Sequence, residues 1–423
     1  MGADPVAMFL LSIAGIFVIG AVGELIFQRT SIPDVIWLIL AGILLGPVGG
    51  LVTKAQLNVI APYFAALTLV VVLFNGGSTL RLSEVSTAAP RAGLLALSGF
   101  VFSAVAMAVL SKLAALVHWL PPGWTWSHGL MLGCILGGSS SIIIMPAVEK
   151  AKLAPGLANL INLESALTDA LCVVGTSAFM EVILHGGGSA AAPLVALLRS
   201  FGIALGLGAV VGIIGLLLLR FMRGTENAYP ITLAALFVVY VLIDHAGGSA
   251  ALGILTVALV LGNASELSRT VGLAQAVELD TGVRDFHRQM VFIVKSFFFV
   301  FIGAMLGPPW SLIGLGVVLG IVLLAVRAPA VTLSVLGAPF DDDEKKLATV
   351  ALPRGMAAGV LATLPAAAHV PNTEWLPVMV FATVFTTILL FAVGFPMVRR
   401  RMAAAPAAAT PAAPDADSLS ARQ

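Results

Sequence analysis

The chain has 423 residues, of which 59% are hydrophobic and only 10% charged, with a mean hydropathy of +1.06 and a formal net charge of +1. Soluble domains carry about 25% charged residues, so the composition excludes a water-soluble globular protein and predicts an all-α polytopic membrane protein. A charge so close to zero gives no electrostatic footprint for nucleic acid. The two cysteines, Cys134 and Cys172, both fall inside predicted helices, so no disulfide framework is implied and both read as small apolar packing residues.

In chain order, apolar runs of spanning length predict thirteen transmembrane helices: 6–27, 32–52, 59–80, 90–117, 127–149, 157–184, 193–221, 228–244, 249–264, 288–306, 310–336, 346–366 and 373–398. The first has no basic segment before it and reads as a retained span, not a cleaved signal. With the N-terminus outside, sixteen Lys and Arg residues between Arg29 and Arg422 fall on the inner side, and Lys54 stands alone on the outer side. The positive-inside rule therefore puts the N-terminus outside and the C-terminus in the cytoplasm, which needs an odd number of crossings. After Arg401 the chain turns to Ala and Pro, and residues 402–423 read as a disordered cytoplasmic tail behind a membrane domain of residues 1–401.

Thirteen divides into two six-helix halves, inverted relative to each other by a linker helix, a common transporter plan. Unusual helices fall at matching places. The fifth contains Gly133, Gly137, Gly138, then Ser139, Ser140, Ser141 and Pro146; the twelfth contains Pro353, Arg354, Gly355, Gly359 and Pro365. Glycine and proline destabilise helix interiors. Both helices are therefore expected to break near the midplane, at Gly137 and Gly138 and at Pro353 and Gly355. Broken helices offer free backbone carbonyls, which bind cations.

The sixth helix holds two carboxylates, Glu164 and Asp169. Asp169 lies roughly 18 Å from the start of the helix at about 1.5 Å per residue, near mid-bilayer. A charge at that depth costs at least about 2.5–3.5 kcal/mol and marks a functional site unless it is paired. Ser165 and Asp169 share a helix face, as do Glu164 and Thr168. The two carboxylates are about 140° apart around the helix. One can thus pair with a buried cation while the other faces an aqueous cavity. Arg327, mid-span in the eleventh helix, is the expected partner of Glu164. Lys295 lies near the cytoplasmic start of the tenth helix and is expected to snorkel.

These residues carry a resemblance to the monovalent cation:proton antiporter superfamily over roughly residues 6–400. Glu24-Leu-Ile-Phe-Gln-Arg29-Thr-Ser-Ile-Pro33-Asp-Val and Leu40-Ala-Gly42-Ile-Leu-Leu-Gly46-Pro47 resemble the family's opening helices. Phe74-Asn-Gly-Gly-Ser-Thr-Leu80 resembles its third-helix motif, and Glu164-Ser165-Ala-Leu-Thr168-Asp169 resembles the Glu-Ser-x-x-Asn-Asp motif of its sodium/proton branch. Arg327 matches the arginine that pairs with the motif's glutamate. The resemblance implies exchange of Na⁺ or K⁺ for H⁺ by a homodimer of the inner membrane, serving pH homeostasis without a cofactor. It implies that helices 1–3 and 8–10 form a dimer scaffold and helices 4–6 and 11–13 a moving core. The ion site it implies comprises Asp169 as cation ligand and proton carrier, with Ser165, Thr168, Ser139 and Ser140. Departures touch the same site: the family's Thr-Asp-Pro reads Ser139-Ser140-Ser141, a common glutamate is Asn75, and the asparagine before the key aspartate is Thr168. An antiporter-fold carrier of an organic solute, or an ion channel, is the alternative.

Other chemistry has little support. An intramembrane serine protease would need a base beside Ser139–Ser141, and all six histidines are placed in loops or at helix ends. Asp341-Asp-Asp-Glu-Lys-Lys346 is expected to be a solvated cytoplasmic loop; that run and His287 are candidate pH sensors.

Overall fold

The computed structural model describes residues 5–30, 32–79, 82–153, 155–185, 191–221, 228–270, 281–337 and 340–404. Among them every regular element is a helix. In chain order these are α1 (Pro5–Thr30), α2 (Asp34–Ile43), α3 (Lys54–Thr79), α4 (Leu82–Leu116), α5 (Trp126–Ile135), α6 (Ser141–Ala151), α7 (Pro155–His185), α8 (Ala191–Phe221) and α9 (Ala228–His245). There follow α10 (Ala250–Gly262), α11 (Ala264–Thr270), α12 (Thr281–Met305), α13 (Trp310–Ser334), α14 (Asp342–Val350), α15 (Met356–Leu361), α16 (Leu364–Ala367) and α17 (Leu376–Ala404). Eight of the helices are long and apolar enough to cross a membrane. Large apolar side chains such as Leu11, Val59, Ile214 and Val393 lie exposed on them, the surface expected of helices solvated by lipid chains.

Several elements differ in extent from their sequence reading. The second span is α-helical only to Ile43 and continues as a wider π-turn over Leu44–Val48, which contains Pro47. The ninth span ends at Gly262, and a separate short helix begins at Ala264. The acidic run is not a loop. Asp341 caps α14, its side chain accepting from the Glu344 amide at 2.6 Å while Glu344 accepts from the Asp341 amide at 3.0 Å. Three acidic residues in the first turn complement the helix dipole, and the hydrogen bond and charge of Lys345 hold the Asp342 carboxyl below its usual range. The last helix runs through Arg399–Arg401 to Ala404, and the expected tail from 405 onward lies outside the described residues.

Two sets of helices pack among themselves. In one, α4 lies against α5, α7 and α13, and α13 against α17. In the other, α2 lies against α12 and α1, and α10 against α3 and α8. Backbones approach closely where α2 crosses α12. A Cβ on Gly42 would fall on the Val300 carbonyl, and one on Gly303 on the Ile39 carbonyl. Overpacking a core costs about 1–3 kcal/mol, and here the obstacle is backbone. Gly303→Val is therefore expected to lower the detergent melting temperature and to destabilise the fold by at least about 1–3 kcal/mol; an unchanged melting temperature would contradict this packing.

Candidate ion-binding site

The site is built where two helices lose their hydrogen-bond ladder. Residues 136–140 separate α5 from α6, and residues 351–355 separate α14 from α15. Ser140 and Gly355 both have extended backbone. The two breaks lie against each other. The Ser140 amide donates to the Pro353 carbonyl at 2.9 Å, and a Cβ on Gly355 would collide with the Ser140 side chain. The Arg354 amide donates to Thr387 Oγ1 of α17 at 3.0 Å. Backbone groups freed by unwinding are thus satisfied across elements, as a low-dielectric setting demands. The N-termini of α6 and α15 both border one cavity, to which they present the positive ends of their dipoles.

Beside the crossing is a buried ion pair. Arg327 Nη1 and Nη2 donate to Glu164 Oε1 and Oε2 at 3.2 and 3.0 Å, a bidentate arrangement, and Arg327 Nε donates to the Ala348 carbonyl at 3.0 Å. The two side chains are only 4% and 1% exposed. Ser139 Oγ donates a further bond to Glu164 Oε2 at 2.9 Å. Ser165 Oγ donates to the Ser139 carbonyl at 2.9 Å, and Thr168 Oγ1 accepts from the Ser139 amide at 3.3 Å while donating to the Ser165 carbonyl at 3.0 Å. One network therefore joins α7, α13, α14 and the first break.

Asp169 is left outside this network. Its carboxylate has no hydrogen-bond or ion-pair partner among the described residues and is partly exposed to a cavity of about 20 Å³. That is room for about one water-sized species. Ser139, Ser140 and Ser141 line the cavity from the first break, Gly355 and Met356 from the second, and Asn75 and Gly76 from α3. Of the expected ion-site residues, Asp169, Ser139 and Ser140 come together here. Ser165 and Thr168 do not: both are fully buried and spend their hydroxyls on the break. Of the four break residues, Gly138 and Gly355 line the cavity; Pro353 supplies the carbonyl that binds Ser140.

Sequence reasoning missed several residues. Cys172, one turn beyond Asp169, is packed in the core as expected and also lines the cavity. Arg354 is 2% exposed, and its Nε and Nη1 have no hydrogen-bond partner among the described residues. Its place between Pro353 and Gly355 in an expected break was the available signal. Lys295 forms an ion pair with Asp34 at 2.5 Å, the two side chains 14% and 16% exposed. His287 is buried, its Nδ1 3.0 Å from the Tyr229 hydroxyl.

Two larger cavities flank the centre. One, of about 380 Å³, is bordered by Glu24, Asp34, Glu149, Lys150 and Lys295 and shares Ile142 with the central cavity. The other, of about 400 Å³, is bordered by Ser177, Glu181, Tyr240, Asp244 and Ser249 and shares no residue with it. They lie at opposite ends of α7, which starts beside Lys150 and runs past Glu181 to His185.

A helical membrane protein with two crossed broken helices and an unpaired carboxylate between them defines an ion-transport class of site. Comparison with known families agrees. Residues 10–400 match the transmembrane sodium/hydrogen exchanger family, and the chain belongs to that family, within the monovalent cation:proton antiporter superfamily. It is similar to the Na(+)/H(+) antiporter 1 of Methanocaldococcus jannaschii, 26% identical over 388 residues that cover 85% of this chain and 84% of that protein. It is also similar to the K(+)/H(+) antiporter NhaP of Alkalimonas amylolytica, 24% identical over 379 residues, 87% of this chain and 62% of that protein. The solved structure of the sodium proton antiporter MjNhaP1 from M. jannaschii at pH 8 shares the fold, with a TM-score of 0.72 and 20% identity over 93% of this chain and 99% of that one.

Removing one partner from a buried ion pair costs about 3–5 kcal/mol. Arg327→Ala is therefore expected to lower the melting temperature more than Lys295→Ala, whose pair is partly solvated. In a double-mutant cycle Glu164→Gln and Arg327→Ala should couple by about 0.5–3 kcal/mol; strictly additive losses would show that the contact carries no stability.

Proposed function

We propose that this protein is a secondary antiporter that exchanges Na⁺ or K⁺ for H⁺ by competition of the two at Asp169. The observation that carries this reading is the unpaired Asp169 carboxylate in a cavity large enough for one small ion, between two helix breaks. An ionised carboxylate binds a cation, and a protonated one releases it. The neighbouring Ser139 and Ser140 offer neutral oxygens of the kind hard cations take. The names of the relatives, which include both sodium and potassium antiporters, support the reaction class. The alternative of an organic solute is disfavoured by size, since about 20 Å³ holds no such molecule.

The remaining architecture belongs to the same proposal. Thirteen crossings form two inverted six-helix repeats, with α5–α6 and α14–α16 as the matched broken pair. The core would comprise α4–α7 and α13–α17. The scaffold would comprise α1–α3 and α9–α12 and form the homodimer, a division supported by the two packing sets. The positive-inside count supports an outside N-terminus and a cytoplasmic C-terminus in the inner membrane. The cavity beside Lys150 would then be the cytoplasmic one, and the protein would face inward.

Glu164 is held by Arg327, and Thr168 does not titrate, so a single carboxylate cycles and exchange is one-for-one and electroneutral. Two results test this. Asp169→Asn should fold and melt near the wild type yet release no protons when Na⁺ or K⁺ is added to proteoliposomes holding a pH dye; wild-type rates would sink the mechanism. In wild-type proteoliposomes an imposed membrane potential should leave the exchange equilibrium where the pH gradient puts it. A shift approaching about 2.3 kcal/mol per 100 mV would mean that one net charge moves per cycle.

A further inference from the structure

Two consecutive glycines of α3 have different surroundings. A Cβ on Gly77 would sit 2.6 Å from the Ala258 Cβ and 3.1 Å from the Leu255 carbonyl oxygen, so Gly77 is needed for α3 to lie against α10. Gly76 meets no such obstacle. A Cβ there would find one atom within 4 Å, Oδ2 of Asp169, at 3.5 Å, an ordinary van der Waals distance. Packing therefore does not demand glycine at 76, although glycine in a helix interior costs about 1 kcal/mol relative to alanine. The other glycine walls of the cavity are closed. A Cβ on Gly138 would press on Cys172 Sγ at 2.9 Å, and one on Gly355 would collide with Ser140. The free space at the carboxylate is thus the space that a side chain at 76 would fill.

We propose that Gly76 determines which monovalent cations the protein accepts, by leaving open the wall against which a larger cation sits when bound to Asp169. The inference rests on Asp169 being the exchange carboxylate. A methyl group at 76 would take much of a cavity that holds about one water. Cations would then lose binding in order of size, Li⁺ least and Rb⁺ most, because the carboxylate and the serines stay in place while the opposite wall advances.

The test compares wild type, Gly76→Ala, Gly77→Ala and Asp169→Asn in proteoliposomes with a pH dye, titrating Li⁺, Na⁺, K⁺ and Rb⁺. Gel filtration and thermal melting accompany each variant. For Gly76→Ala the half-saturating concentration of the largest cation exchanged by the wild type should rise about tenfold relative to that of Li⁺, equivalent to about 1.4 kcal/mol of discrimination. Gly77→Ala should lose stability without changing that ratio. Equal shifts for all cations in Gly76→Ala, no shift, or a loss of folding like that of Gly77→Ala would each overturn the proposal, the last by making Gly76 a packing glycine too. The Asp169→Asn arm separates the failures. Exchange retained there removes the underlying reading, whereas exchange lost there with unchanged selectivity in Gly76→Ala removes only the role of Gly76.

Discussion

The bidentate contact between Arg327 and Glu164 is the interaction on which the rest of the centre depends. Two charges taken into a low-dielectric interior are tolerated only with good geometry and with their remaining hydrogen-bonding capacity used. Here Arg327 spends its third donor direction on the Ala348 carbonyl near the end of α14, and Glu164 takes a further bond from Ser139 at the first break. The pair therefore does more than neutralise itself. It fixes the position of both broken helices relative to α7, and α7 is the helix that carries Asp169. A shift of either partner would move the cavity walls and the carboxylate together.

The breaks would be unstable in lipid without such support. Unwinding frees amides and carbonyls that have no water to bind. The structure satisfies them sideways: Ser140 amide to Pro353 carbonyl, Arg354 amide to Thr387, Ser139 carbonyl to Ser165. Local flexing of either break would strip partners from these buried polar groups, which favours the proposed motion of the core as a unit. The contrast between the flanking cavities follows the same logic. Only the one beside Lys150 shares a wall residue, Ile142, with the centre.

How far the sequence revealed this arrangement depended on the kind of constraint. A charge at bilayer depth is legible because its cost is large and independent of context, so Glu164, Asp169 and Arg327 stood out. Helix periodicity then separated the two carboxylates, and Gly-Gly-Ser and Pro-Arg-Gly signalled the breaks. Sharing a face with Asp169 did not put Ser165 in its cavity. Angular position on one helix says nothing about which neighbour fills the space, and here the first break occupies it. The partner of Lys295 is hidden for a similar reason: Asp34 is 261 residues away in sequence and comes within reach only in the fold. The run Asp341–Lys346 is solvated as expected, but Asp341 and Glu344 also form a capping box, so the run opens a helix and is not a loop. Gly76 could not be told from Gly77 in the sequence, since only the neighbours of α3 distinguish them.

Charge balance in the centre connects the buried groups to the energetics of exchange. Glu164 and Arg327 cancel. Arg354, buried and in effect permanently protonated, is a second positive charge near the crossing, where Ser140 stands in place of the acid that the superfamily's motif would supply. Asp169 is the fourth charge. With Asp169 ionised and empty the four groups sum to zero; with a proton or a monovalent cation on Asp169 they sum to one positive charge. Under the proposed competition at Asp169, the two loaded states would carry the same charge through the same field, and a potential would cancel around a cycle in which the centre crosses once with each. The departure at Ser140 takes away a carboxylate that could have carried a second proton, and Thr168, like the asparagine of the motif, does not titrate; on the proposed mechanism, size and oxygen geometry at one acid, and not net charge, would then discriminate among cations.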